Sequence, residues 1–484
     1  MMKFQIALDK VSEVAPLLVG DAVNEFKEKS AKFMEEVQDS QYIKVPLVGV
    51  FSAGKSSLLN VFTQKPGMLP VDTMPETAVA YELYYSQSEC VDLYRNGNKI
   101  ESKPLADIKQ LDTKPGDIAK VYCTSEPIKD LQERGIILVD MPGIGSGIER
   151  HDAAIFNYIN SGTAFVLIVD AEQGSLRGSS LAFMHELSQY NMYPAVLVSK
   201  IDKKPEGDVK DIVEYIQYQL TRLGNNNPFV STVCAVNKNL DGFNKYIDGL
   251  DAEALVSEKL GKKLKLIISA VIDQLKIRID LRTKDIANVD EKLAQIENEI
   301  SNVKAELPTS DCQVDTPEKS TQDILDNVRA ALEAKATDIA QMIVNREDQE
   351  EIKAVIVSIV RTEVIRSLKE ESEQYSSALG TAVQESVQDL AAIEVDTDVM
   401  KDFSDIFETI NGYIDALLAL GGIWGVIAQF LLPFLPSLMN WLFGKSDEEV
   451  LEEVRAKVMA KCVDQVATGL QPTIFKITVD NQKK

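Results

Sequence analysis

Val45-Pro46-Leu47-Val48-Gly49-Val50-Phe51-Ser52-Ala53-Gly54-Lys55-Ser56-Ser57-Leu58-Leu59 is the stretch on which the reading of this chain turns. An apolar run enters a glycine-punctuated turn, and a helical pattern leaves it. That context separates a phosphate-binding loop from a chance Gly-Lys-Ser turn. Gly49 and Gly54 let the backbone curl so that several N–H groups face one anion. Lys55 supplies a point charge to the β- and γ-phosphates, and the Ser56 hydroxyl is placed to ligate Mg²⁺.

Outward from the loop, short apolar runs recur at 136–140, 164–170, 195–199 and 230–235, with helical stretches between them. This alternation predicts an α/β domain over 42–250, a mostly parallel sheet with flanking helices. Residues 77–85 alternate in polarity, and 91–100 contain Asn96-Gly97, the dipeptide of a tight hairpin on an antiparallel edge.

Two further motifs follow in order. Asp140-Met141-Pro142-Gly143 closes an apolar strand, where a carboxylate beside the phosphate loop can hold Mg²⁺ through water and the Gly143 N–H can sense the γ-phosphate. Ser199-Lys200-Ile201-Asp202 closes another. A carboxylate at Asp202 can accept from guanine N1–H and from its exocyclic amine. Adenine lacks that donor pair, so the motif selects GTP over ATP. The stem of Lys200 can pack on the base face.

These motifs resemble the G1, G3 and G4 motifs of the translation-factor class of GTPases, with Ser199 where Asn or Thr is commoner. Cys234-Ala235 resembles a degenerate G5 motif, whose backbone would touch the guanine oxygen. The G2 threonine, a Mg²⁺ ligand in the GTP state, is expected at Thr77 rather than Thr73, because Thr77 directly precedes the alternating strand.

Ile144 follows Gly143, so the glutamine that orients water in many signalling GTPases is absent. Here the chain resembles the dynamin superfamily. Its phosphate loop has the form Gly-x-x-Ser-x-Gly-Lys-Ser-Ser, met by Gly49, Ser52, Gly54, Lys55, Ser56 and Ser57, with Ala53 between them. Its G3 form is Asp-x-Pro-Gly, met by Asp140, Pro142 and Gly143. The resemblance implies that Ser52 helps activate hydrolysis once two GTP-bound domains meet face to face. A loop serine bonding its own backbone is the plainer alternative.

The family also has a helical stalk with a lipid-binding tip. Beyond residue 250 strand signals almost vanish, and helical stretches run to about residue 400. From 416 to 444 there is no charged residue. An all-apolar helix is buried in protein or in lipid. As one straight helix, about 29 residues would reach roughly 43 Å, beyond a hydrocarbon core of roughly 30 Å. Pro433 and Pro436 favour a bent hairpin instead. Trp424 and Trp441 suit interfacial depth, with Phe430 and Phe434 among the apolar contacts. A helix buried within the stalk, or a constitutive transmembrane anchor, are the other readings of this segment. With no Lys or Arg from 403 to 444, lipid binding would be hydrophobic rather than electrostatic.

Bulk composition narrows the partners. The chain has 484 residues, more than one ordinary core, and a formal net charge of −24, which repels phosphodiester backbones and argues against nucleic acid. Five dispersed cysteines and two histidines give neither a disulfide framework nor a zinc site. The first residues carry no signal-peptide-like run, and a reducing cytoplasm is expected.

The sequence is therefore identified as a bacterial dynamin-like GTPase using GTP and Mg²⁺. Its expected parts are a helical arm at 1–41 packing with the stalk, a GTPase domain at 42–250, and a stalk at 251–484 with its tip at 403–445. GTP-driven pairing of GTPase domains would remodel, tether or fuse membranes. The chain would associate peripherally or reversibly with the inner face of a membrane, and a related dynamin-like protein is a further expected partner. The alternatives are a soluble regulatory GTPase that binds a protein through its helical half, and a GTP-binding scaffold with little turnover.

Overall fold

The computed structural model describes residues 2–18, 22–50, 52–71, 79–114, 116–143, 158, 164–176, 178–188, 192–283, 317–345, 347, 351–352, 355–371, 452, 469–472, 474–475 and 478. Thr77 and the apolar segment at 403–445 lie outside these. Among the described residues no helix is long and apolar enough to cross a membrane.

The strands, in chain order, are β1 (Ile43–Val48), β2 (Ala80–Tyr85), β3 (Cys90–Arg95), β4 (Asn98–Pro104), β5 (Ile118–Cys123), β6 (Ile136–Asp140), β7 (Val166–Asp170), β8 (Ala195–Ser199) and β9 (Val230–Thr232). They form a single nine-stranded sheet in the order β4-β3-β5-β2-β6-β1-β7-β8-β9. The five strands from β6 to β9 run parallel. β2 joins them antiparallel through β6, carries β5 parallel on its other side, and the β3–β4 hairpin closes the edge. Asn96 and Gly97 both take positive φ, at 50° and 77°, which is the geometry an Asn-Gly turn supplies at least cost.

The helices are α1 (Met2–Val14), α2 (Ala22–Asp39), α3 (Lys55–Phe62), α4 (Glu126–Glu133), α5 (Gly178–Ser188), α6 (Glu206–Arg222), α7 (Asp241–Asp248), α8 (Ala252–Thr283), α9 (Pro317–Ala334) and α10 (Ala336–Val344), followed by a helix over 355–371. The central strands read as unbroken apolar runs because both faces are covered. In β7, Val166 and Ile168 face a core shared with α3, α4 and α7. Leu167 and Val169 face the opposite core, with Phe183 of α5 and Ile216 of α6.

The second core does not stop at the sheet's own helices. Ile324, Leu325, Val328 and Leu332 of α9, Ile339 of α10, and Ile356, Val360 and Val364 of the following helix belong to the same cluster. The contact is polar as well. Arg361 meets Glu186 of α5 at 3.0 Å, their side chains 7% and 1% exposed. Glu351 accepts from the Ser179 backbone N–H, one of the unpaired donors at the start of α5. A Cβ on Gly178 would stand 3.1 Å from Val355, so glycine lets the two layers close.

A third cluster joins α1 and α2 to α8, through Leu8, Phe26, Phe33 and Val37 against Leu260, Leu264 and Val271. Lys263 binds Glu36 at 2.8 Å across this contact. Beyond residue 250, α8 thus starts against the sheet domain through Ala252 and runs along the N-terminal arm, while α9, α10 and the helix over 355–371 pack on the other face of the sheet domain.

Candidate nucleotide site

β1 delivers the loop at the centre of the sheet, between β6 and β7. Gly49 has φ 158°, and a Cβ there would lie 2.4 Å from the Ile168 carbonyl of β7. Only glycine fits so close to a neighbouring backbone. Gly54, at φ 95° and ψ 17°, turns the chain into α3 as its N-terminal flanking residue. Ser52 sits on the exposed tip with φ 61°. Ser57 is half-buried in the first turn of α3, and Ala53 is fully buried.

Lys55 is buried at 7% exposure, and its ammonium donates back to the Gly49 and Val50 carbonyls at 3.0 and 3.3 Å. Burial lowers its pKa to about 8, against the pull of the nearby Asp140 charge. At the end of β6, Asp140 is 4% exposed, and burial raises its carboxyl to about 6, with Lys55 and a hydrogen bond from Ser56 opposing. The Ser56 hydroxyl donates to Asp140 Oδ2 at 2.5 Å, whereas Asp140 Oδ1 is buried with no hydrogen-bond partner among the described residues. A hydroxyl and a carboxylate oxygen side by side, one oxygen orphaned, are hard donors that suit Mg²⁺. Gly143 is buried at the end of the described part of this loop.

The Ser199–Asp202 turn is tied to the same place. Ser199 donates to the Ala53 carbonyl at 2.6 Å and lies 3.2 Å from the Val169 carbonyl, so it bridges the phosphate loop, β7 and β8. Lys200 takes φ 54°, and its ammonium binds Asp170 at 2.7 Å. Asp202 is exposed and accepts from the Cys234 thiol at 3.0 Å. Cys234 is itself held by paired backbone hydrogen bonds with Asn239, and Ala235 beside it is half-buried.

The structure thus gathers Gly49, Ser52, Gly54, Lys55, Ser56 and Asp140, and joins them through Ser199 to the turn carrying Asp202 and Cys234. Thr77 and the aromatic residues Trp424, Phe430, Phe434 and Trp441 lie outside the described residues. Asp170 was not singled out from the sequence, although an acid closing a strand next to the Ser199 strand was visible; its role depends on the β7–β8 pairing, in which Asp170 faces Ser199.

A family model for the Dynamin family matches residues 45–201. An uncharacterized protein in the xynA 3′ region of Caldicellulosiruptor is 24% identical over 212 residues, covering 42% of this chain and 52% of that protein. Dynamin-like protein 1 of Campylobacter jejuni is 22% identical over 234 residues, covering 40% of this chain and 32% of that protein. The chain therefore spans about half the length of the first relative and about a third of the second. A solved structure of an oligomerised bacterial dynamin pair, described as sensing and tethering membranes at long range, aligns over 98% of this chain and 82% of its own. Its identity is 15% and its TM-score 0.36, a superposition too loose to add to the sequence match. The match at residues 45–201 runs from the strand before the phosphate loop to the turn that carries Lys200, and over that stretch the chain is similar to the dynamin family.

Proposed function

We propose that this chain binds GTP with Mg²⁺ and hydrolyses it to GDP and phosphate. The observation that carries this reading is the Ser56–Asp140 pair beside buried Lys55. A buried cation and a buried, partly orphaned carboxylate are costly alone, and a metal–polyphosphate satisfies both. Lys55 holds the β- and γ-phosphates, the loop N–H groups cradle them, and Gly143 contacts the γ-phosphate. Ser56 and Thr77 would hold Mg²⁺ directly and Asp140 through water; the ion would neutralise charge on the transferred phosphoryl oxygens. Asp202, with the Cys234-Ala235 turn, selects guanine. Ser52, on the exposed tip, orients the attacking water when the GTPase domains of two copies pair.

In this reading hydrolysis is coupled to membrane remodelling, tethering or fusion through the helical half, with 416–444 as the lipid contact. Two experiments test it. Fluorescent GTP should bind with Mg²⁺ and resist competition by ATP, and phosphate release per molecule should rise with protein concentration. Flotation with liposomes should require residues 416–444. Equal competition by ATP would remove the nucleotide assignment, and a chain that stays with the soluble fraction in every nucleotide state would remove the membrane assignment.

A further inference from the structure

Two short 3-10 turns stand side by side at the ends of neighbouring strands: Ala171–Gln173 follows β7, and Ile201–Lys203 follows β8. Ion pairs tie one turn to the other. Lys200 Nζ binds Asp170 Oδ2 at 2.7 Å, and Lys203 binds Glu172 further out. The two pairs differ in setting. Asp170 is 8% exposed and Lys200 half-buried, whereas Lys203 and Glu172 are both exposed. An exposed pair contributes little, so the inner pair is the one with consequences.

Asp170 is a fixed anchor. It faces Ser199 in the β7–β8 ladder, and its other oxygen accepts from the Glu172 backbone N–H at 2.9 Å. Lys200 takes φ 54° and ψ 36°, a left-handed conformation that a lysine keeps only where its surroundings over-determine it. They do so here. Before it, Ser199 is bonded to the Ala53 and Val169 carbonyls; after it, the Lys203 N–H donates to the Lys200 carbonyl at 3.1 Å. The side chain therefore runs from the end of β8 to the end of β7, with its charge fixed there. In open α/β sheets ligands bind outside these carboxyl ends, and the phosphate loop leaves β1, the other neighbour of β7. An ammonium compensated by a carboxylate leaves the methylene stem as the part a flat base can cover. Without its anchor the side chain would lose rotamer freedom each time a base pressed on it.

We propose that Asp170 is a positioning residue for the nucleobase: by holding the Lys200 ammonium it presets the lysine stem as the platform for the base, while Asp202 reads the base's edge. The proposal rests on the reading of the Ser199–Asp202 turn as the guanine site. Platform and edge are chemically separable. The platform meets a flat face that all purines share, so it adds affinity without selecting guanine. The edge contact uses the exocyclic amine, which inosine lacks.

The test measures binding of GDP, inosine diphosphate and ADP to the full chain. Asp170→Asn keeps the acceptor for the Glu172 N–H and removes the charge. It should weaken GDP and inosine diphosphate by the same factor, about five- to tenfold, so that their ratio stays at the wild-type value. Glu172→Gln, which breaks the exposed pair, should bind both as the wild type does. Lys200→Met keeps an apolar stem but has no charge to hold, so adding Asp170→Asn to it should change GDP affinity by less than about twofold. Wild-type affinity in Asp170→Asn would overturn the proposal. So would a ratio that falls toward that of Asp202→Ala, which marks displacement of the whole turn. A full loss in the Lys200→Met background would overturn it too, since the effect would then bypass the lysine. Should Asp170→Asn fold poorly, Lys200→Met alone decides: it should lose both nucleotides equally, and wild-type affinity would overturn the proposal. A wild-type chain that binds ADP as well as GDP would overturn the guanine reading itself, a separate failure that takes the proposal with it.

Discussion

The Ser56 hydroxyl reaches Asp140 Oδ2 across 2.5 Å, joining the first turn of α3 to the end of β6. It is the one hydrogen bond to this buried carboxylate among the described residues, since Oδ1 has no partner. Removing it with Ser56→Ala leaves an ionised group nearly dry. The ligand-free protein should lose about 1–3 kcal/mol at neutral pH. Burial places the Asp140 pKa above its ordinary value, so the ionised form is the costly one and the cost grows as pH rises through about 6. Urea unfolding at acidic and neutral pH checks this: the deficit of Ser56→Ala should be smaller on the acidic side.

The same two groups set a pH window for binding. Below about 6 Asp140 takes up a proton and ceases to attract a metal ion. Above about 8 buried Lys55 loses its proton, and with it the attraction for phosphate. Mg²⁺-dependent affinity for GDP should therefore be greatest between these limits and fall on both sides. Fluorescence titrations across the range, with and without Mg²⁺, separate the limbs. The acid limb should need the metal, while the alkaline limb should persist without it.

Gly49→Ala should be worse than its size suggests. The new Cβ would stand 2.4 Å from the Ile168 carbonyl, a backbone atom of a central strand that cannot swing aside. Overpacking of this kind costs about 1–3 kcal/mol. Gly54→Ala meets only the Ser199 hydroxyl, at 3.9 Å, but must hold φ 95°. Thermal denaturation with GDP binding should show both variants losing stability and affinity, with the larger loss of stability in Gly49→Ala.

Asp202 is exposed and Cys234 is buried, so their contact is asymmetric. Asp202→Ala removes the acceptor for both guanine donors and should weaken GTP and GDP at least about a hundredfold. Cys234→Ala leaves the carboxylate in place, where water can replace the thiol, and should cost at most about threefold. Competition between guanine and adenine nucleotides reads both effects.

Much of this site was legible because its parts are local. Gly49 to Ser57 is one turn, and Asp140 and Ser199 each close an apolar run, so strand ends could be placed from pattern alone. The Asn96-Gly97 hairpin was legible for the same reason. β5 was not: Ile118–Cys123 buries alternate residues around Lys120 and shows no apolar run, and its place between β2 and β3 depends on pairings distant in sequence. The docking of 317–371 on α5 was hidden too. An amphipathic helix announces that it has an apolar face, but not which surface covers it.

That docking is testable at a buried ion pair. Arg361 and Glu186 meet at 3.0 Å, almost without solvent, and Ser358 lies 3.4 Å from the same carboxylate. Desolvation offsets most of the attraction in such a pair, yet removing one partner leaves the other charge buried and less compensated. Arg361→Met alone should therefore destabilise the chain by about 3–5 kcal/mol, and Glu186→Leu alone by a similar amount. The double variant removes both charges, and it should recover most of the loss. Urea unfolding of the three variants decides between this account and a contact that matters little. If 317–371 and the sheet domain share one core, the singles should shift a common unfolding transition seen by probes in both. Two transitions, only one of them moved, would mean that the helices and the sheet unfold as separate units.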